Sequence, residues 1–218
     1  MTNRHIHEVL AELREAVRQW PTPVVGVVAS ETRDPFRVLI SCLLSLRTKD
    51  ATTAAAAARL FALAATPDAL RRLAPAAVEQ AIYPVAFFRT KTRNLQALCD
   101  HLLARFHGRV PDTIDDLLSL PGVGRKTANL VVTLGFGKPG ICVDTHVHRI
   151  SNRWGYVKTD TPDETERALR RRLPRSYWIE FNDVLVRYGQ HRCTPTSPFC
   201  SRCTISRWCR QVAVSRRR

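Results

Sequence analysis

Apolar side chains recur at three- and four-residue intervals along most of this chain, the spacing of helices that turn one face to a core. Ile6, Val9, Leu10, Leu13, Val17 and Trp20 form one such stripe, and Pro21 and Pro23 end it. Asp34-Pro35 predicts the next helix start, with aspartate at the cap and proline in the first position. Phe36, Val38, Leu39, Ile40, Leu43 and Leu44 then cover most of a circumference, so this helix belongs inside a core. An alanine-rich run predicts a helix over 51–65, packed closely against its neighbours. Thr66-Pro67-Asp68 and Ala74-Pro75 each open a short helix, and Leu95, Leu98, Leu102, Leu103 and Phe106 mark a longer one over 90–106. Further helices are predicted over 113–119, from Arg125 to about Leu134, from the Asp144 cap to Gly155, after the capping box at Thr161 to Glu164, and over 178–188 with Gly189 closing it. No segment alternates with period two for long, so the predicted fold class is all-α.

One stretch concentrates unusual chemistry. Leu120-Pro121 ends a short helix, and Gly122 and Gly124 allow a tight hairpin before the next helix begins. Such a turn points backbone N–H groups outward at a helix N-terminus, a setting that suits a phosphate. Lys126 lies in the first turn of that second helix beside Arg125, where the partial positive charge of the helix end disfavours an ammonium. A neutral amine is what nucleophilic chemistry needs. Eighteen positions later Asp144 reads as an N-cap, a carboxylate held by backbone N–H groups and suited to act as a fixed negative charge.

The segment LPGVGRKTA over 120–128, followed by VDTHVHR over 143–149, closely resembles the helix-hairpin-helix DNA glycosylases, and specifically the endonuclease III family. The resemblance implies that Lys126 forms a Schiff base with the sugar and that Asp144 stabilises the positive charge developing there. It implies two lobes, a six-helix lobe over 28–138 with its helix-hairpin-helix near 113–135, and a second lobe joining 1–27 to 139–218. Lys126 and Asp144 would face each other across the cleft between them. It further implies that the polar break Leu46-Arg47-Thr48-Lys49-Asp50 enters a duplex from the minor groove. Many members carry glutamine where this chain has Arg47, whose donors suit the O6 and N7 acceptors of guanine. Phe87 matches the family's apolar wedge, with Arg89 and Lys91 expected near phosphates. Gly122, Val123, Gly124 and Arg125 are the expected hairpin contacts.

Charge agrees with a polyanionic partner. Thirty-four lysines and arginines against nineteen acidic residues give a formal charge of +15. No segment approaches the roughly 20 apolar residues of a membrane span, and no signal-peptide core opens the chain, so a cytoplasmic monomer acting on double-stranded DNA is expected. Cys42, Cys99 and Cys142 sit in apolar runs and read as inert core thiols. Cys193, Cys200, Cys203 and Cys209 fall within one loop over 193–209, and on chemistry alone they fit zinc or an iron–sulfur cluster. The resemblance implies a [4Fe–4S] cluster, with Arg202, Arg207 and Arg210 interleaved to hold a basic loop on the DNA backbone. The resulting expectation is a base-excision glycosylase and AP lyase for oxidised pyrimidines or abasic sites. The alternatives are a monofunctional thymine- or adenine-mismatch glycosylase and a non-catalytic, cluster-bearing DNA-binding protein.

Overall fold

The computed structural model describes Met1 and residues 3–218. Every regular element among these residues is helical, which matches the predicted class. The chain divides into two compact units, Val24–Gly140 on one hand and Met1–Pro23 with Ile141–Arg218 on the other.

In the unit Val24–Gly140, the helix α3 (Pro35–Ser45) is the central strut. Asp34 caps it by accepting the Phe36 N–H at 2.9 Å. Phe36 and the run Val38, Leu39, Ile40, Ser41, Cys42, Leu43 and Leu44 are buried, as a helix enclosed on nearly all sides requires. Around it pack α2 (Val24–Thr32), α4 (Asp50–Leu63), α7 (Phe88–Phe106), α9 (Arg125–Leu130) and the π-turn Val131–Gly135 that continues α9. The alanine run of α4 buries Thr53, Ala56, Ala57 and Leu60, a small-residue stripe that lets it lie close to α3 and α6 (Pro75–Ile82). Short α5 (Pro67–Arg72), opened by Thr66 and Pro67, packs on α7. The helix α8 (Ile114–Leu118) packs on α9. The sequence reading missed α2. Its apolar residues Val24, Val25, Val27 and Val28 are contiguous around Gly26 and β-branched, so they show no helical period.

In the other unit, α1 (Asn3–Val17) buries the predicted stripe Ile6, Val9, Leu10, Leu13 and Val17 against α12 (Trp178–His191). The same core takes Val147 and Ile150 of α10 (Thr145–Arg153), Leu169 of α11 (Pro162–Arg172), and Phe181, Leu185 and Tyr188 of α12. Thr161 caps α11 by accepting the Glu164 N–H at 3.2 Å. Gly189 does not close α12, which runs on to His191. A Cβ at Gly189 would meet His146 Nδ1 and lie 3.0 Å from His146 Cβ, so this glycine serves the approach of α10 to α12.

Candidate functional site

The hairpin is built by local rules. Thr113 caps α8 through the Asp116 N–H at 3.2 Å, and buried Leu120 anchors the turn. Gly122 has φ +77°, a conformation that favours glycine, and a Cβ there would press on the Asn94 side chain at 3.3 Å. Gly124 differs. It is the extended N-cap of α9, with φ −100° and no atom within 4 Å of where a Cβ would stand. Neither its backbone nor its surroundings require glycine, so its bareness suits an approaching ligand. The N–H groups of Gly122 and Gly124 meet no backbone acceptor among the described residues. Val123 departs from expectation: its side chain is buried and its N–H donates to Leu120 O at 3.1 Å, so it braces the hairpin instead of facing out. Arg125 is half-buried, while Lys126 stands exposed beside buried Thr127 and Ala128.

Asp144 caps α10. Its Oδ1 accepts both the His146 and Val147 N–H groups at 2.9 Å, so one carboxylate oxygen makes the cap and Oδ2 lies outside it. The carboxylate is thereby fixed in place, with an oxygen to spare.

Two loops of the unit Val24–Gly140 bring the expected wedge residues together. Arg47 (φ 57°) and Phe87 (φ 58°) both occupy the left-handed region, uncommon for residues with side chains. Both are exposed, and the Arg47 guanidinium carbon sits 5.0 Å from the Phe87 ring centroid. They border a cavity of about 200 Å³ that also reaches Asn94 of α7 and Gly122 of the hairpin. Arg89 is exposed, 3.9 Å from Glu79, and open to a phosphate. Lys91 is not. It is buried, and Nζ donates to Leu44 O and Leu46 O at 2.7 Å each and to Thr48 Oγ1 at 3.4 Å. Its burial pushes the amine down to about 8. The expected phosphate contact is therefore corrected: all three donors of this ammonium are engaged inside the protein.

Cys193, Cys200, Cys203 and Cys209 line one small cavity of about 20 Å³. Donors already point at three of the sulfurs. Arg153 Nη1 lies 3.4 Å from Cys193, Tyr188 Oη lies 3.2 Å from Cys203, and Gln211 N lies 3.4 Å from Cys209. Arg153 also donates to Thr194 O at 2.7 Å and to Pro195 O. The tail folds back on the loop, with Arg218 N donating to Pro198 O at 2.8 Å and Ser201 N to Arg218 O at 3.0 Å. Nothing in the linear pattern marked Arg153, Tyr188 or the tail as partners of the cysteines. Arg202, Arg207 and Arg210 are exposed. Among the described residues no group of three or more His, Cys, Asp or Glu side chains converges on a point that could hold a single metal ion. No helix among them is long and apolar enough to cross a membrane.

Residues 40–175 match the family model of the HhH-GPD superfamily base excision DNA repair proteins. The chain is 43% identical over 196 residues to the endonuclease III of Thermotoga maritima, covering 90% of this chain and 89% of that one. It is 38% identical over 218 aligned positions to the chloroplastic endonuclease III homolog 1 of Arabidopsis thaliana, covering 93% of this chain and 58% of that longer protein. Its fold is similar to a solved complex described as a trapped covalent intermediate of endonuclease III with DNA and an estranged adenine. There the TM-score is 0.85 at 34% identity, over 97% of each chain.

Proposed function

This chain belongs to the endonuclease III family within the HhH-GPD superfamily of base excision DNA repair proteins, and from that premise we propose that it is a DNA glycosylase and AP lyase that removes oxidised pyrimidines from duplex DNA. One observation carries the reading. An exposed lysine stands two residues past a hairpin whose bare Gly124 and unengaged N–H groups suit a phosphate. A backbone phosphate docked on those N–H groups would hold the duplex against the hairpin that leads into Lys126.

The chemistry then follows from the groups present. The target nucleotide leaves the stack, because C1′ is shielded inside it. As the bond from C1′ to the base breaks, the base carries off the electron pair and takes up a proton. The sugar acquires oxocarbenium character, which the Asp144 carboxylate offsets, as carboxylates do in glycoside hydrolysis. The Lys126 amine bonds to C1′, loses protons to solvent, and the bond from C1′ to O4′ opens with protonation of O4′, leaving a Schiff base. Loss of a C2′ proton expels the 3′ phosphate and breaks the strand. Water then hydrolyses the Schiff base and returns the amine.

The four cysteines would hold the [4Fe–4S] cluster that membership of the endonuclease III family implies. They line one cavity, and N–H and O–H donors are aimed at three of the sulfurs, which suits thiolate ligands and would tune an iron–sulfur centre. When bound, the cluster supplies a rigid cross-link of the loop, which presents exposed Arg202, Arg207 and Arg210 to the DNA backbone. Visible charge-transfer absorption in the purified protein is expected; a colourless protein carrying stoichiometric zinc would overturn this assignment.

Borohydride reduction during reaction with abasic duplex DNA tests the central step. The native protein should become covalently attached to the oligonucleotide, and Lys126→Ala should not. Attachment that persists in Lys126→Ala would move the nucleophile elsewhere.

A further inference from the structure

One closed polar knot joins the two loops that carry Arg47 and Phe87. Lys91 Nζ spends its three donors on Leu44 O, Leu46 O and Thr48 Oγ1. The Thr48 hydroxyl donates to Leu46 O at 3.3 Å and accepts from both Lys91 and the Ala86 N–H, the latter at 3.2 Å. A hydroxyl has one donor and two acceptor sites, so Thr48 is saturated. Thr48 is the residue after Arg47, and Ala86 is the residue before Phe87. Phe87 is the N-cap of α7, and its carbonyl accepts the Lys91 backbone N–H at 2.9 Å as the first bond of that helix.

We infer that Lys91 is a positioning residue that locks the Arg47 loop to the Phe87 loop, so that the stacked pair enters the duplex as a single wedge. The inference rests on the reading of these loops as DNA-probing elements.

A simpler role, capping the carbonyls at the end of α3, explains the bonds to Leu44 and Leu46 but not the rest. A cap needs no contact to Thr48, and it has no reason to tie Thr48 to Ala86 across 38 residues. The left-handed angle of Arg47 belongs to the turn closed by Thr48 N–H on Ser45 O at 3.0 Å, and that of Phe87 to the turn closed by Phe88 N–H on Val85 O at 3.1 Å; each turn forms locally, and neither local bond ties one to the other. Linked through Thr48, they keep the guanidinium over the ring before any DNA arrives. Burial supports the same view, because a lysine stripped of water is held only by the oxygens it meets. Wedging into DNA costs unstacking energy, and a wedge ordered in advance does not add its own ordering cost to that.

Three variants separate this role from general structural damage. Lys91→Met removes the donor, Thr48→Val removes the bridging hydroxyl at nearly constant shape, and Thr48→Ser keeps it. Borohydride trapping is measured on an abasic site in duplex and in single-stranded DNA. Lys91→Met and Thr48→Val should slow duplex trapping about tenfold or more, the factor expected for one lost charge-assisted hydrogen bond, with single-strand trapping changed less than about twofold. Thr48→Ser should match the native protein. Equal losses on both substrates, or no loss on duplex, would overturn the inference. Hydrogen exchange in the free protein supplies a test that needs no activity. The Ala86 amide should exchange about tenfold faster or more in Lys91→Met; an unchanged rate would also overturn the inference. If the native protein traps neither substrate, the proposed function fails, and exchange at Ala86 still decides whether Lys91 couples the loops.

Discussion

The Arg47 guanidinium lies over the Phe87 ring at 5.0 Å, with both residues in left-handed backbone conformations. A cation held over an aromatic face loses freedom, so its remaining donors reach the partner strand with less ordering cost. If Arg47 reads the base left without its partner, guanine is the best match, through O6 and N7. Base excision should then run faster opposite guanine than opposite adenine, by a factor corresponding to about 1–3 kcal/mol. Arg47→Gln should level the two rates in single-turnover assays. Equal rates in the native protein would remove the proposed contact.

Asparagine caps helices as well as aspartate does, so Asp144→Asn should leave α10 intact while removing the charge. Unfolding midpoints and affinity for undamaged duplex should hold, and base release should slow by roughly a hundredfold or more, as with other losses of fixed electrostatic stabilisation. Unchanged base release would mean that the carboxylate serves only as a cap.

Gly189 sets the distance between α10 and α12. Replacing a helical glycine with alanine normally gains about 1 kcal/mol. Here the added methyl would sit 3.0 Å from the Cβ of His146, which cannot swing away. Overpacking should outweigh the helix gain, for a net loss of about 1–2 kcal/mol. Thermal denaturation should report a Tm several degrees lower, and a Tm that rises would show that α10 yields.

Burial pushes the Cys42 and Cys99 thiols up to about 12, with Lys126 drawing Cys42 slightly back and Asp100 raising Cys99 further. In the unfolded chain both ionise near 9.0. The native state therefore holds more protons between those values, and the stability these thiols contribute is complete below pH 9 and declines as pH rises toward 12. The thiolate is the reactive form, so alkylation of the native protein at mildly alkaline pH should spare both residues until denaturant is added. Mass spectrometry of the tryptic peptides reads this directly; early labelling of either would contradict the packing of α3 or α7.

Features with local causes could be read from the residues alone. The caps at Asp34, Thr66, Thr113, Asp144 and Thr161 each depend on a side chain and an N–H two or three positions away. The stripes of α1 and α7 declare their faces by period. What escaped depends on partners far along the chain. Gly189 looks like a helix terminator until His146, 43 positions earlier, is seen against it. Lys91 looks like one more phosphate-binding cation until Leu44 and Leu46 claim its ammonium. In each case tertiary contact decided between two roles that the same side chain could fill.

Gly124 offers something rarer than a site whose loss abolishes function. Because its angles are ordinary and the volume above it is vacant, a methyl group placed there has nothing within the chain to strike, and the cost to the start of α9 is at most about 1 kcal/mol. Gly124→Ala therefore acts as a gauge of clearance: the fold should hold with Tm lowered by about 2–4 °C at most, while duplex affinity falls only if a bound phosphate passes closer to that carbon than van der Waals contact permits. Extending the side chain by successive carbons would convert the gap between protein and nucleic acid into a measured distance.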